Sequence, residues 1–229
     1  PVPWPGASAR RTALVGRHGE LEVLRRALIN VQAGQPGVAL LRGGSGVGKT
    51  ALVQAFVAGA PGGALVLCGR CYEREQVPHN AFDGLLDGLT RHLMGLSAPL
   101  RAELERAVLE ALARLFPALR RLPELASARV GGDPADGPRS RERGYAAFKR
   151  LIAWLARRGT VALVIDDLQW ADADSAALLA ELMALPAPAC LLLASYRVTA
   201  SGPAPVVQGL VQQLRGGARV WELTLEPLM

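Results

Sequence analysis

The sequence predicts an α/β fold built around a parallel sheet. Short apolar runs alternate with segments of helical periodicity along most of the 229 residues, as in strands joined by crossover helices. One run, Val161 to Ile165, is continuously apolar, which is typical of a strand buried on both faces. Another run leads into the glycine-rich segment Gly43 to Gly48, and helical periodicity follows it. These observations favour an open sheet in which a glycine-rich loop joins a strand to a helix.

Composition places the chain among folded proteins. Half of the residues are hydrophobic and 20% are charged, whereas a disordered chain combines low hydrophobicity with high net charge. Three cysteines are too few for a disulfide framework and suit a reducing compartment, so we expect a cytoplasmic location. The longest uncharged run, Thr50 to Gly69, is interrupted by Pro61 and several glycines. We therefore expect no membrane partner.

The formal net charge of +6 raises the question of a nucleic-acid partner. Only Lys49 and Lys149 are lysines, and the other basic residues are arginines scattered among Ala, Gly and Leu rather than interleaved with aromatic residues. We interpret this pattern as dispersed surface charge and do not expect the chain to bind nucleic acid directly.

The first part of the chain contains a predicted linker, two helices and two strands. Residues 1–10 are rich in proline and are expected to form a linker, while residues 11–229 form one domain. Apolar residues at helical spacing, closed by Gly34 and Pro36, predict a helix from Arg17 to Ala33. The remaining elements are a strand over Val38–Leu41, a helix that begins near Lys49 and a strand over Ala64–Cys68.

A long helical insert is predicted between the second and third strands, at about residues 81–158. Helical periodicity covers Ala81 to about Leu125, where residues 97–116 are expected to form one amphipathic helix, and Arg139–Arg158, with a loop at Gly131–Pro138 between them. The later elements are strands over Val161–Ile165, Cys190–Ala194 and Val220–Leu225 and helices over Asp172–Leu185, capped by Asp172 or Asp174, and Pro205–Leu214.

The glycine-rich segment matches the phosphate-binding pattern G-x-x-x-x-G-K-[ST], with residues Gly43, Gly44, Ser45, Gly46, Val47, Gly48, Lys49 and Thr50. Glycines allow the backbone to turn its N–H groups toward phosphate oxygens, at a helix N-terminus whose dipole favours anions. We expect Lys49 to reach the β and γ phosphates of a nucleotide and the hydroxyl of Thr50 to ligate Mg²⁺.

Polar residues follow two of the predicted strands, at the sheet edge where ligands of α/β proteins bind. Asp166 is expected to belong to the Mg²⁺ shell, and Asp167 is expected to polarise a water that attacks the γ phosphate. Arg197 follows the strand Cys190–Ala194. If that strand lies between those of the phosphate loop and Asp166, the guanidinium can stabilise charge at the γ phosphate; otherwise Arg197 is a surface residue.

The sequence favours ATP or ADP over GTP. Guanine recognition needs an Asn-Lys-x-Asp type of loop, but the two asparagines of the chain, Asn30 and Asn80, precede valine and alanine. Adenine needs mainly apolar contacts and backbone hydrogen bonds. The segment just before the first helix can provide these, through Val15, Gly16 and Arg17.

Five segments, in the order LVGRHGELEVLRRAL, GGSGVGKT, VALVIDDLQWAD, LLLASYR and WELTLEPL, together resemble the ATPase module of STAND-class signal-transduction NTPases. The resemblance is to the AAA-like ATP-binding modules of bacterial LuxR-type and SARP-type regulators and of some adenylate cyclases and kinases. It implies a P-loop NTPase fold with a five-stranded parallel sheet of order 5-1-4-3-2. It also implies a Walker A motif at Gly43 to Thr50, Asp166 as the Walker B magnesium ligand, Asp167 as catalytic acid, Arg197 as sensor and Val15 to Arg17 as adenine contacts.

The expected function is accordingly a slow, Mg²⁺-dependent ATPase that serves as a regulatory switch. Its partners would be other domains of the same protein, with nucleotide-dependent self-association as a further expectation. One alternative is an AAA+ loader ATPase associated with DNA, although such proteins usually carry Asp-Glu where this chain has Asp166 and Asp167. A second alternative is a small-molecule P-loop kinase, for which the insert has arginines but no evident acceptor site.

Overall fold

A computed structural model describes residues 16–73, 77–125, 137–200 and 202–227. The predicted linker at residues 1–10 lies outside the described residues. The helices are α1 (His18–Gln32), α2 (Lys49–Ala58), α3 (Asp83–Gly95), α4 (Ala98–Ala102), α5 (Arg106–Leu115), α6 (Gly137–Ala156), α7 (Ala173–Met183) and α8 (Pro205–Arg215). The strands are β1 (Gly37–Gly43), β2 (Leu65–Arg70), β3 (Val161–Asp166), β4 (Cys190–Thr199), β5 (Gly202–Pro203) and β6 (Arg219–Leu225). Single turns of 3₁₀ helix lie at Asn80–Phe82, Pro117–Arg121, Pro123–Leu125 and Leu168–Trp170.

The main sheet is parallel and has the strand order β2-β3-β4-β1-β6. This is the expected order 5-1-4-3-2 read from the other edge, with β6 as the fifth predicted strand. The strand count differs, because β5 pairs with the end of β4 in antiparallel orientation and makes the sheet six-stranded. A two-residue Gly-Pro strand has no apolar pattern, which is why periodicity did not predict it.

Helices cover both faces of the sheet, so that successive strand residues point into two different apolar layers. Helices α1 and α2 pack on one face, against a layer to which β3 contributes Ala162 and Val164. The insert, α7 and α8 pack on the other face, where β3 contributes Val161, Leu163 and Ile165. Burial on both faces explains why β3 is continuously apolar. Within the described residues, no helix is long and apolar enough to cross a membrane.

The insert is less regular than predicted. The prediction of a single helix over residues 97–116 is wrong, since the helix breaks between α4 and α5, where Glu105 has a non-helical ψ of 128°. Arg101 of α4 pairs with Glu124 at 2.7 Å and donates to the carbonyl of Leu96, while Leu104 is buried at the break. The sequence at the break contains no glycine or proline that would have predicted it. The break instead accompanies the contacts that Arg101 and Leu104 make with the rest of the insert.

The predicted loop at Gly131–Pro138 lies largely outside the described residues. Its last two residues belong instead to α6, which begins at Gly137. Proline is tolerated in the first turn of a helix because the backbone N–H that it lacks has no partner there.

Of the two candidate caps of α7, the structure uses Asp172, whose carboxylate accepts the N–H of Ser175.

The close approach of α3 to β2 makes Gly84 a test of this packing. A Cβ at Gly84 would lie 2.8 Å from the carbonyl oxygen of Cys68, whereas a Cβ at Gly19 would meet no atom within 4 Å. Both glycines are the second residue of a helix. We expect Gly84→Ala to lower the free energy of unfolding by about 1–3 kcal/mol through overpacking. The matched Gly19→Ala should be neutral or stabilising by up to about 1 kcal/mol. Urea denaturation of both variants is the measurement, and equal effects would contradict the packing argument.

Candidate functional site

The residues predicted to bind phosphate and magnesium and to act in hydrolysis lie at the carboxyl ends of the parallel strands. The register places Gly43, at the end of β1, beside Arg197 of β4, and Arg70, at the end of β2, beside Asp166 of β3. Strand β4 lies between β1 and β3, which is the arrangement on which the predicted role of Arg197 depends. The phosphate loop, the acidic pair and the arginine therefore share one edge of the sheet.

The phosphate loop is open on one side and tightly packed on the other. Gly46 and Gly48 have φ values of 76° and 92°, in the left-handed region that favours glycine, and a Cβ on either would meet no atom within 4 Å. A Cβ on Gly43 would instead lie 2.5 Å from the carbonyl oxygen of Leu225. Because the loop ends at the N-terminus of the ten-residue helix α2, it has the open shape and the dipole that a polyphosphate requires.

Lys49 is almost fully buried beneath the loop. Its Nζ donates to the carbonyl oxygens of Gly43 and Gly44, at 3.0 and 2.6 Å. Burial lowers the pKa of Lys49, and Arg197 acts in the same direction, whereas the carboxylates of Asp167 and Asp166 oppose the shift. These four side chains thus interact electrostatically.

Thr50 and Asp166, the two predicted magnesium ligands, contact each other directly. The hydroxyl of Thr50 donates to Oδ2 of Asp166 at 2.8 Å, and the hydroxyl of Ser195 donates to Oδ1. Hydroxyl and carboxylate oxygens are ligands that Mg²⁺ prefers. The described residues contain no group of three or more His, Cys, Asp or Glu side chains that could hold a metal ion. A Mg²⁺ ion at this pair would therefore take its remaining ligands from phosphate and water, as Mg²⁺ commonly does.

Asp167 follows β3 in a left-handed conformation, with φ 59°, and both of its carboxylate oxygens accept hydrogen bonds. Arg70 donates to Oδ2 from Nη2 at 2.8 Å and from Nε at 3.2 Å, and Gln169 donates to Oδ1 at 2.9 Å. Gln169 in turn accepts the backbone N–H of Arg197 at 2.9 Å. The candidate catalytic acid is thus held by a neighbouring strand and by its own turn.

Sequence reasoning missed Arg70, Gln169 and Ser195. Two of them carried a usable signal: Arg70 lies just beyond the second predicted strand and Ser195 immediately precedes Tyr196-Arg197, so both belong to the ligand edge. Gln169 carried none, because its side-chain contacts depend on the turn that follows β3.

The segment predicted to contact adenine is only partly described. Val15 lies outside the described residues, and Gly16 is exposed with φ 70°. The side chain of Arg17 is buried and has a role that the sequence did not predict: Nη2 donates to the carbonyl of Val47 at 3.1 Å and to that of Glu226, while Nη1 pairs with Glu20. Arg17 thereby joins the phosphate loop to the segment after β6.

Comparison with known proteins identifies the family. A model of the AAA ATPase domain matches residues 13–193, which is more than half of the chain. The chain belongs to the AAA ATPase domain family. Membership of the AAA ATPase domain family implies nucleotide binding, usually with Mg²⁺, and the donor groups around the phosphate loop fit both.

Solved structures similar to this AAA ATPase domain include two archaeal proteins. The ORC1 protein of Aeropyrum pernix, in complex with DNA, is 20% identical with a TM-score of 0.50, covering 95% of this chain and 47% of that chain. Cdc6p of Pyrobaculum aerophilum is 15% identical with a TM-score of 0.51, covering 97% and 48%. The chain spans about half the length of both proteins, and identities this low show the shared fold alone. No curated protein matches the sequence.

The buried side chain of Arg17 can be tested against Arg26, an arginine of α1 whose side chain is 71% exposed. Arg17→Ala removes charged hydrogen bonds to two backbone carbonyls, and we expect the free energy of unfolding to fall by about 1.5–3 kcal/mol. Arg26→Ala should change it by less than about 0.5 kcal/mol. Guanidinium denaturation of both variants measures the difference. A loss at Arg17 no larger than that at Arg26 would show that the AAA ATPase domain does not depend on this contact.

Proposed function

We propose that this AAA ATPase domain is the nucleotide-dependent switch of a multidomain signal-transduction or transcription-regulatory protein of the STAND class. The observation that carries the proposal is the position of the candidate catalytic acid, Asp167, close to the phosphate loop and engaged on both carboxylate oxygens by Arg70 and Gln169. A water that passes a proton to Asp167 must compete with Arg70 or Gln169 for the same carboxylate oxygens. A carboxylate held in this way suits slow hydrolysis.

The proposed reaction is hydrolysis of ATP to ADP and phosphate. Lys49 and the loop from Gly43 to Gly48 bind the phosphates, and Thr50 and Asp166 hold Mg²⁺. When bound, Mg²⁺ neutralises phosphate charge. Asp167 accepts the proton of the attacking water, and Arg197 stabilises charge at the γ phosphate. Val15, Gly16 and the backbone of Arg17 are the proposed adenine contacts.

The proposed setting is a domain within a longer protein. We propose that residues 11–229 form the P-loop ATPase domain with its helical insert and that residues 1–10 serve as a linker. We propose that its partners are other domains of the same cytoplasmic protein and, in one nucleotide state, further copies of the chain. A switch must keep its ATP state long enough for neighbours to respond, so the complete site should form only on closure or assembly.

The two lysines of the chain provide a matched test of nucleotide binding. Lys49→Ala removes the ammonium that would neutralise phosphate, and we expect ATP binding to fall below detection in calorimetric titration. Lys149 donates to the carbonyls of Glu181 and Ala184 at the end of α7, away from the loop. Lys149→Ala should therefore leave ATP affinity unchanged within about twofold. Unchanged affinity in Lys49→Ala would remove the loop from nucleotide binding.

Steady-state phosphate release tests the switch itself. We expect turnover well below the roughly 10 s⁻¹ median of enzymes. Asp167→Asn should lower it by roughly 10²-fold, the scale of the loss of a general base, and Arg197→Ala should also lower it. Turnover of tens per second, independent of protein concentration, would argue for a metabolic enzyme.

A DNA-associated loader is the second candidate. The similarity to the Aeropyrum pernix ORC1 protein in complex with DNA favours it, but at 20% identity that similarity concerns the fold. Duplex DNA added to the same phosphate-release assay separates the candidates. A salt-sensitive change in turnover would support the loader, because phosphate contacts weaken with salt, whereas the switch predicts no response to DNA.

A further inference from the structure

A buried asparagine fixes the far end of the turn that carries Asp167. Asn80 is 1% exposed. Its Nδ2 donates to the carbonyl of Trp170 at 3.0 Å, and its Oδ1 accepts the N–H of Asp172 at 3.3 Å. The primary amide therefore binds the backbone on both sides of Ala171 and holds that part of the turn.

The backbone around Asn80 strengthens this attachment. The N–H of Asn80 donates to Oδ2 of Asp172 at 2.9 Å, and the N–H of Ala81 donates to the hydroxyl of Ser175 at 3.2 Å. The same hydroxyl donates to Oδ2 of Asp172 at 2.5 Å. Since Asp172 caps α7, the segment at Asn80 is joined to both the turn and the helix that follows it.

The near end of the turn is held separately. The N–H of Asp167 donates to the hydroxyl of Ser195 at 3.2 Å, and the N–H of Trp170 donates to the carbonyl of Asp167 at 3.0 Å. Asp167 lies at the near attachment, and Gln169 lies between the two. Displacement of the far end therefore moves Gln169, whose side chain donates to the Asp167 carboxylate.

The residue before Asn80 contacts the helical insert. His79 is buried in a left-handed conformation, with φ 64°, which a non-glycine residue seldom adopts. Its Nε2 lies 3.1 Å from the hydroxyl of Tyr145 in α6, and its ring packs edge-on against Phe116. The Tyr145 hydroxyl donates to the carbonyl of Asp174 at 3.1 Å. The insert is thus linked to Asn80 and to α7 together.

We infer that Asn80 is a positioning residue for Asp167. Through the contact between Tyr145 and His79, a movement of the helical insert also moves the turn that carries Asp167. The inference rests on the proposed function, in which Asp167 accepts a proton from water. Lys49 and Thr50 belong to α2 and not to this turn, so this route changes hydrolysis while nucleotide affinity stays the same. A shift of the insert at Tyr145 would then change the lifetime of the ATP state.

The first test compares the two asparagines of the chain. Asn80→Ala should lower the turnover number for ATP by about 10- to 100-fold, since small misplacements of a reacting group have effects of that size. Its dissociation constant for ATP should change by less than about threefold. The control is Asn30→Ala, which removes an exposed hydrogen bond to the carbonyl of Arg26 and should change neither quantity. A parallel loss of affinity, or an unchanged turnover number, would overturn the inference.

A double-mutant cycle with Asp167→Asn separates positioning from general destabilisation. If Asn80 acts through Asp167, adding Asn80→Ala to Asp167→Asn causes no further loss of turnover. Losses that multiply would overturn the inference and leave the proposed function standing. Full turnover in Asp167→Asn alone would instead overturn the proposed function.

Tyr145→Phe is the second variant, because it keeps the ring in the core and removes only the hydroxyl that contacts His79. It answers the question even if Asn80→Ala fails to fold. We expect turnover to fall about three- to tenfold at unchanged ATP affinity, on the scale of one lost hydrogen bond. In the same cycle with Asp167→Asn the effect should disappear. Unchanged turnover, or an effect that persists in the Asp167→Asn background, would overturn the inference.

Discussion

The burial of the Asp166 carboxylate is the constraint around which the site is arranged. It is fully buried, and within the described residues it has no ion-pair partner, only the hydroxyls of Thr50 and Ser195. A buried carboxylate without a direct ion pair is costly, and the two hydroxyl donors, with Lys49 and Arg70 at longer range, offset part of that cost. The two hydroxyl contacts join α2, β3 and β4 at one point. A divalent cation in the proposed position would place positive charge in direct contact with this carboxylate, so the burial of Asp166 favours the cation-bound state.

Local sequence patterns were enough to predict the order of the strands and helices. Contacts between residues that lie far apart in the sequence could not be predicted in this way. Strand β3 is continuously apolar because it is buried on both faces, and glycines stand in the phosphate loop where the backbone needs a positive φ. Both features could therefore be predicted from the residues themselves. The break at Glu105 depends on Arg101 meeting Glu124, and the position of Asp167 depends on Arg70, which is 97 residues away. No spacing rule reports such pairs. The sequence therefore predicted that the phosphate loop, Asp166, Asp167 and Arg197 lie at this edge of the sheet, but not the residues that hold them in place.

Strand β6 is the last strand in the order of the sheet, and the end of β6 packs against the phosphate loop. The carbonyl of Leu225 lies so close to Gly43 that no side chain fits there, and Arg17 bridges the carbonyls of Val47 and Glu226. Two independent contacts thus relate the end of β6 to the loop backbone. The buried guanidinium acts at both carbonyls because its planar fork presents several donors in fixed directions.

The two sides of the site have largely separate supports, which bears on how a switch differs from a metabolic ATPase. The loop with Lys49 is held by Arg17 and by the end of β6, whereas the far end of the turn with Asp167 is held by Asn80. Ser195 is shared, because it contacts both the N–H of Asp167 and the Asp166 carboxylate that Thr50 also contacts. If both depended on the same contacts, any change that slowed hydrolysis would also release the nucleotide. With largely separate supports, the strength of nucleotide binding and the lifetime of the bound state can be set independently. A regulatory ATPase needs that independence, because its output depends on how long ATP stays intact.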